Sequence, residues 1–334
     1  MTGLVERRVL SDQTLRLGFK GDFTKALDLI AVAQKEAEKH SDRASLAMAT
    51  IDSAVIFFFQ GEYFKALMTA GKVPPLSEIE HDKKALAHVL SRRAFLGYYR
   101  KSHAQALEDA TRSLSMLDPS SDRIEIVFTL NVLGLNHGAM GDSEQSRKCF
   151  EESLKICRSL EDEFWLALPL NNLGNIYHSQ NDEATALDYY LQSLAINERF
   201  GIRSLLRYTL GNIGNAYLYQ GDYVRAMEYF QRSLAERETN GSKDEISTTL
   251  KDIGLVYRDQ GDYPKAREYY SKSLAIEESV GNKSRIAGRL STIGESYLHQ
   301  FNLDLALEHF RKSLRAAEAA GDKESVARGF FHIG

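Results

Sequence analysis

Side chains able to do acid–base, nucleophilic or metal chemistry are plentiful in this chain of 334 residues, but their spacing argues against each use. The nine histidines, His40, His81, His88, His103, His137, His178, His299, His309 and His332, form no His-x-x-x-His pair and no Glu-flanked metal pattern. They read as solvated or packing groups, so neither a metal nor another cofactor is expected. Cys149 and Cys157 are eight residues apart on one predicted helix, which puts their α-carbons roughly 12 Å apart, too far to bridge. They read as free thiols of a reducing compartment. No Gly-x-Gly-x-x-Gly or Walker-type loop follows a strand pattern, and there is no nucleophile elbow. The many carboxylates lie on predicted helix surfaces without a fixed pocket and read as solvated charges. The chain is therefore expected not to be an enzyme.

The elements that carry these residues announce themselves by period. Every fortieth residue from position 21 begins a similar tripeptide: Gly21-Asp22-Phe23, Gly61-Glu62-Tyr63, Lys101-Ser102-His103, Gly141-Asp142-Ser143, Asn181-Asp182-Glu183, Gly221-Asp222-Tyr223, Gly261-Asp262-Tyr263 and Phe301-Asn302-Leu303. No insertion or deletion interrupts the series. Half a period away stand Gly201, Gly241, Gly281 and Gly321, with Ser41, His81, Ser121 and Glu161 in the earlier repeats. A glycine just past a helix can take the left-handed conformation that closes it, and Asp or Ser beside it can cap the next helix. Each repeat is thus two helices of about 16 to 18 residues joined by short turns.

Between the turns, apolar residues recur at spacings of three and four, the mark of a helix with one buried stripe. The sixth repeat reads Leu210, Ile213, Gly214, Tyr217, Ala226, Phe230 and Leu234; the seventh reads Leu250, Ile253, Gly254, Tyr257, Ala266, Tyr270 and Leu274. This ordered set resembles the tetratricopeptide repeat, with 40 residues in place of 34. Forty-residue forms are familiar in kinesin light chains, in the Leu-Gly-Asn family of spindle-orientation adaptors and in the sensory arms of bacterial signalling proteins. Leu173-Gly174-Asn175 and Ile213-Gly214-Asn215 look like the adaptors' signature. The resemblance implies an all-α fold, a right-handed α-solenoid superhelix of antiparallel helix pairs with about eight repeats and a partial ninth.

Within that array, residues 1–120 are expected to hold three degenerate repeats, 121–320 five regular ones, and 321–334 the first helix of a ninth, all in one continuous superhelical domain. In the first three repeats the glycine is replaced by Thr14, Ala54 and Ala94, and the aromatic of the second helix by Ile30, Ala70 and Ala110. Pro74-Pro75 should end the second helix of repeat two early, and Pro169 should kink the first helix of repeat five or delay its start. The sequence reaches a repeat glycine at Gly334, which suggests the N-terminal part of a longer protein.

In such an array the first helices line a concave groove. On the tetratricopeptide frame the residues facing it lie three before, one after and four or five after the glycine, with the residue two before it close by. These positions include Asn131, Asn171, Asn172, Asn175, Asn212 and Asn215. An asparagine amide offers both a donor and an acceptor, so a row of them can pair with the backbone of an extended peptide whatever its sequence. The alternative is that Asn is merely tolerated on an exposed helical face. His178, Tyr208, Tyr219, Lys251 and Arg258 supplement the row. Phe58 and Phe59 either extend the groove or bury against the proline-broken helix.

With 43% hydrophobic and 26% charged residues, five prolines, a net charge of −4 and a pI near 6.2, nothing suggests disorder, and there is no basic excess to attract nucleic acid. No apolar run is long enough for a membrane span or a signal peptide, so a cytoplasmic location is expected. The expected partner is a protein or peptide, with self-association through the terminal repeats as a further expectation. The competing reading is a sensory or dimerisation arm of a bacterial diguanylate cyclase, histidine kinase or transcription regulator, with its output domain beyond residue 334.

Overall fold

A computed structural model describes residues 2–240 and 242–333; the turn glycine Gly241 and the repeat glycine Gly334 lie outside the described residues. The fold is all-α as expected, 17 helices in consecutive antiparallel pairs, with no strand among the described residues. The first helices of the pairs are α1 (Thr2–Lys20), α3 (Arg43–Phe59), α5 (Lys83–Tyr99), α7 (Arg123–Ala139), α9 (Ala167–Ser179), α11 (Arg203–Tyr219), α13 (Lys243–Asp259), α15 (Lys283–Leu298) and α17 (Lys323–Ile333). The second helices are α2 (Phe23–Lys39), α4 (Tyr63–Ala70), α6 (His103–Met116), α8 (Ser143–Arg158), α10 (Glu183–Phe200), α12 (Tyr223–Asn240), α14 (Tyr263–Val280) and α16 (Leu303–Ala320).

The turn inside every pair is left-handed, even where the residue is not glycine. Lys101, Asn181 and Phe301 take φ of 59°, 60° and 58° at the position where the other repeats have glycine. The residue that follows often caps the second helix: Asp142, Asp182 and Asp262 accept from the backbone N–H of Gln145, Thr185 and Lys265. Between pairs, Ser41, Gly201, Gly281 and Gly321 are left-handed but His81, Ser121 and Glu161 are not. There the preceding helix has already stopped, at Ala70, Met116 and Arg158. Pro74-Pro75 accounts for the shortest of these, since neither proline can donate the next helical hydrogen bond.

Each regular pair closes on a small residue facing a ring. A Cβ added at Gly134, Gly174, Gly214, Gly254 or Gly294 would lie 2.4 to 2.7 Å from the ring of Phe150, Tyr190, Phe230, Tyr270 or Phe310. A second device is a buried serine column on the second helices. Ser113, Ser193, Ser273 and Ser313 donate at 2.7–2.8 Å to the carbonyls of Ala87, Ala167, Ser247 and Ala287 on their own first helices. These bonds tie together the two ends of each pair that lie away from the turn.

The chain divides into two compact units, Met1–Thr209 and Leu210–Gly334. In the first, Pro169 acts as expected: α9 begins at Ala167, after a 310 turn over Glu163–Leu166. The missing N–H of Pro169 leaves the carbonyl of Trp165 without its helical partner, and the thiol of Cys157 donates to that carbonyl at 3.4 Å. Phe164 and Trp165 are thereby turned against α1, with ring centroids 6.4 and 6.1 Å from Phe19. In the second unit the core runs within and between pairs: Ala266 and Tyr270 on α14 pack with Leu255 and Tyr257 on α13 and with Ile293 and Tyr297 on the next first helix, α15.

Candidate functional site

A helix turns about 100° per residue, so the position three before the repeat glycine lies only about 60° round from the side that packs on the second helix. It is drawn into that seam. Asn131 is 1% exposed and donates to the carbonyl of Val127 and to Ser153 Oγ on α8. Asn171, 4% exposed, accepts from Thr209 Oγ1, which in turn accepts from Asn197 on α10. Asn172, 5% exposed, lies between neighbouring first helices and donates to Asn131 Oδ1 at 3.0 Å. The expectation that these three asparagines face a ligand is therefore corrected: they hold helices together. An unpaired buried amide would cost about 1–3 kcal/mol; Asn131 and Asn172 bond to one another and Asn171 pairs with Thr209.

The position one after the glycine turns about 100° from the seam, and it and the other expected residues stay at least partly accessible. In the first unit Asn175 is exposed, its Oδ1 accepting from Tyr190 Oη at 2.8 Å. His178 is half-buried against Glu183 at 2.8 Å, and Tyr208 is 41% exposed. In the second unit Asn212 and Asn215 are half-buried and Tyr219 is 69% exposed. Lys251 and Arg258 are half-buried and lean on the adjacent carboxylates of Asp252 and Asp259, both at 2.7 Å. The eleven expected residues thus divide into three packing groups and eight accessible ones, three in the first unit and five in the second.

The equivalent face of the N-terminal helices is filled by its own rings. Phe59 sits 4.9 Å from Phe19 and 5.7 Å from Phe95, and Phe58 sits 4.2 Å from Tyr99. Phe58 also meets Tyr63 at the start of the proline-broken helix, at 5.2 Å. The two phenylalanines therefore serve neither expectation alone: they chiefly join α3 to its neighbouring first helices.

The structure also gathers a polar cluster that the sequence spacing does not announce. Ser11 donates to Asp52 at 3.1 Å; His88 spans Asp52 at 2.8 Å and Glu125 at 3.2 Å; Arg92 holds Glu125 with two bonds of 2.8 and 3.1 Å and lies 3.9 Å from the Phe128 ring. Burial by itself would depress the His88 pKa, but Asp52 and Glu125 outweigh it and push His88 up to about 9. Burial would raise Glu125, but Arg92 and then His88 bring it down to about 2. Both stay charged near neutrality. The partners lie 36, 37 and 41 residues apart, close to one repeat, which is the spacing that brings neighbouring first helices together. Among the described residues no group of three or more His, Cys, Asp or Glu side chains could hold a metal ion, and no helix is long and apolar enough to cross a membrane. Burial raises both thiols, Cys149 to about 11 and Cys157 to about 12.

Residues 125–199 and 205–279 match the family model described as the tetratricopeptide repeat. These two stretches, a little under half of the chain, are similar to the tetratricopeptide repeat. No curated protein matches the chain significantly. Among solved structures, a Rap protein complexed with Competence and Sporulation Factor superposes with a TM-score of 0.70 at 13% identity, covering 98% of this chain and 96% of that one. The apo form of RapI gives 0.61 at 18% identity, over 80% and 96%. A signal transduction ATPase with a tetratricopeptide repeat sensor from Pyrococcus horikoshii gives 0.67 at 15% identity, over 94% of this chain but 48% of that protein. At these identities the likeness is one of fold.

Proposed function

We propose that this chain is a non-catalytic protein-interaction scaffold that binds a peptide or partner segment, and that the second unit offers a binding face built from Asn212, Asn215, Tyr219, Lys251 and Arg258. The observation that carries this reading is the contrast in exposure: these tetratricopeptide first-helix positions present accessible amide, phenol and cationic groups, while the matching positions of the N-terminal helices are spent on internal ring packing. A half-exposed mixture of hydrogen-bonding and aromatic groups suits an extended backbone with few side-chain demands. The complex of a Rap protein of this fold with Competence and Sporulation Factor supports ligand capture as a use of the architecture.

The test is crosslinking and pull-down from the native cell with the full chain and with an Asn215→Ala, Tyr219→Ala, Arg258→Ala variant. Partner capture should fall at least tenfold while helical circular dichroism is unchanged. Undiminished capture removes this face from the reading. Self-association belongs to the same proposal, since Phe330 and Phe331 on α17 are exposed.

A second reading, a sensory or dimerisation arm of a larger bacterial signalling protein, draws on the likeness to the signal transduction ATPase. Its test is the coding sequence beyond residue 334. A stop codon there would remove it.

A further inference from the structure

Seven of the eight second helices turn a charged residue outward at one register position: Asp28, Glu108, Lys148, Asp188, Glu228, Glu268 and Glu308, all exposed. The exception is Met68 on α4, also exposed. In α14 and α16 the charged residue answers a lysine four positions on, Glu268 with Lys272 at 2.6 Å and Glu308 with Lys312 at 2.5 Å. The corresponding lysine beside α4 is Lys72, which has no ion-pair partner among the described residues. One change of residue type thus puts an apolar group on the surface and leaves a cation unanswered.

Around Met68 the outward face of α4 is apolar. Phe64, 78% exposed, stands one turn before it, and Tyr63 and Leu67 are exposed beside them, while Ala66 is turned inward. Together the four side chains expose on the order of 400 Å². That is about half of the roughly 800 Å² per partner buried where two globular surfaces meet stably, so the patch is too small for a second copy of this chain and large enough for one short helix.

Cations frame the patch. Lys65 lies over the Phe57 ring at 4.0 Å, whereas its counterpart Lys265 pairs with Asp262 at 3.0 Å. Tyr63 meets Phe58 and Phe58 meets Tyr99, a chain of rings that brings the turn after α5 alongside, with Arg100 and Lys101 exposed and without ion-pair partners among the described residues. Residues 60–72 and 99–102 therefore hold four cations against one carboxylate, Glu62. On either side the charges balance: Lys20 and Lys25 with Asp22 and Asp28 at the start of α2, Arg93 and Arg112 with Glu108 and Asp109 along α6.

We propose that α4 is a docking surface for an acidic amphipathic helix of a partner protein. The apolar stripe of that helix lies across the ridge of Phe64, Leu67 and Met68, since residues three and four apart on one helix pack into the grooves of another. Carboxylates flanking the stripe answer Lys72, Arg100 and Lys101. This surface shares no residue with the five-residue face of the second unit, so either assignment can fail without the other.

The test is selection from a displayed library of helical peptides of about five turns, with leucine fixed at spacings of three and four and every flanking position randomised. The library is first cleared on a Met68→Glu variant, which restores the carboxylate of the other second helices, and then selected on the full wild-type chain. Peptides should be recovered with Asp and Glu enriched at least twofold beside the leucine stripe. Their affinity should fall at least tenfold on Phe64→Ser and on Lys72→Glu with Lys101→Glu, and should weaken as salt is raised, with helical circular dichroism unchanged. The proposal is overturned if no peptide survives the clearing step, if the flanks show no acidic enrichment, or if the recovered peptides bind these variants as well as the wild type. It is also overturned if the chain cosediments with phosphatidylserine–phosphatidylcholine vesicles and loses that binding on Met68→Glu, which would assign the surface to lipid.

Discussion

One residue after the small residue that packs the pair, the first unit carries Leu15, Val55 and Phe95 on its N-terminal helices, whereas the second unit carries Asn215, Leu255 and Glu295. Five residues after it stand Phe19, Phe59 and Tyr99 in the one and Tyr219, Asp259 and His299 in the other. From the third pair onward the helix pairs of both units share the left-handed turn and the buried serine. What differs is the use of the face turned away from the second helices. On the N-terminal helices of the first unit apolar side chains fill it, and Phe164 and Trp165, displaced by Pro169, reach α1 from about 146 residues away, where Arg16 also pairs with Asp162. In the second unit polar groups leave that face accessible. A repeat scaffold therefore does not by itself confer a binding face; a few positions per repeat decide whether the surface is spent on stability or kept for a partner.

The sharpest way to break this contrast is Trp165→Ala. A fully buried indole lost from a packed interior costs about 3–5 kcal/mol, and the loss should fall on residues 1–209. Urea denaturation followed by hydrogen exchange checks it, and equal loosening of residues 210–333 would sink the contrast. Next in size is the charged cluster. Because the folded pKa of His88 is raised to about 9, its contribution is fully present below the unfolded value near pH 6.5 and is lost as pH rises through about 9. Wild-type stability should fall by up to about 3 kcal/mol across that window, and His88→Gln should flatten the profile in denaturant titrations at a series of pH values. A profile unchanged by the substitution would show that His88 is not held charged. The smallest effect separates seam from open face within the second unit. Gly254→Ala meets the Tyr270 ring and should cost about 1–3 kcal/mol, while Gly288→Ala, which meets nothing within 4 Å, should stabilise α15 by up to about 1 kcal/mol. Thermal unfolding of the two variants should move in opposite directions.

Much of the scaffold was readable because its causes are local. The 40-residue period places a left-handed residue at Lys101, Asn181 and Phe301 as surely as at the glycines, because the turn geometry leaves no other path. Pro169 signals a delayed helix start through its missing N–H. The serine column at 113, 153, 193, 233, 273 and 313 is equally periodic, but hydroxyls at helix positions add nothing to an apolar stripe. The asparagines were harder. Asn131 and Asn175 look alike on a groove frame, yet an angle of some 40° on the helix separates a side chain locked to Ser153 from one that reaches solvent.

The sequence by itself determined the helices, their pairing and the glycine-to-ring fit within each pair, since all of these are settled by residues at most one repeat apart. Only the tertiary structure decided which first-helix faces are filled and where the Asp52–His88–Glu125–Arg92 cluster forms. Those outcomes depend on contacts between helices one to four repeats apart, and side-chain burial there is set by which neighbours arrive rather than by any spacing along a single helix.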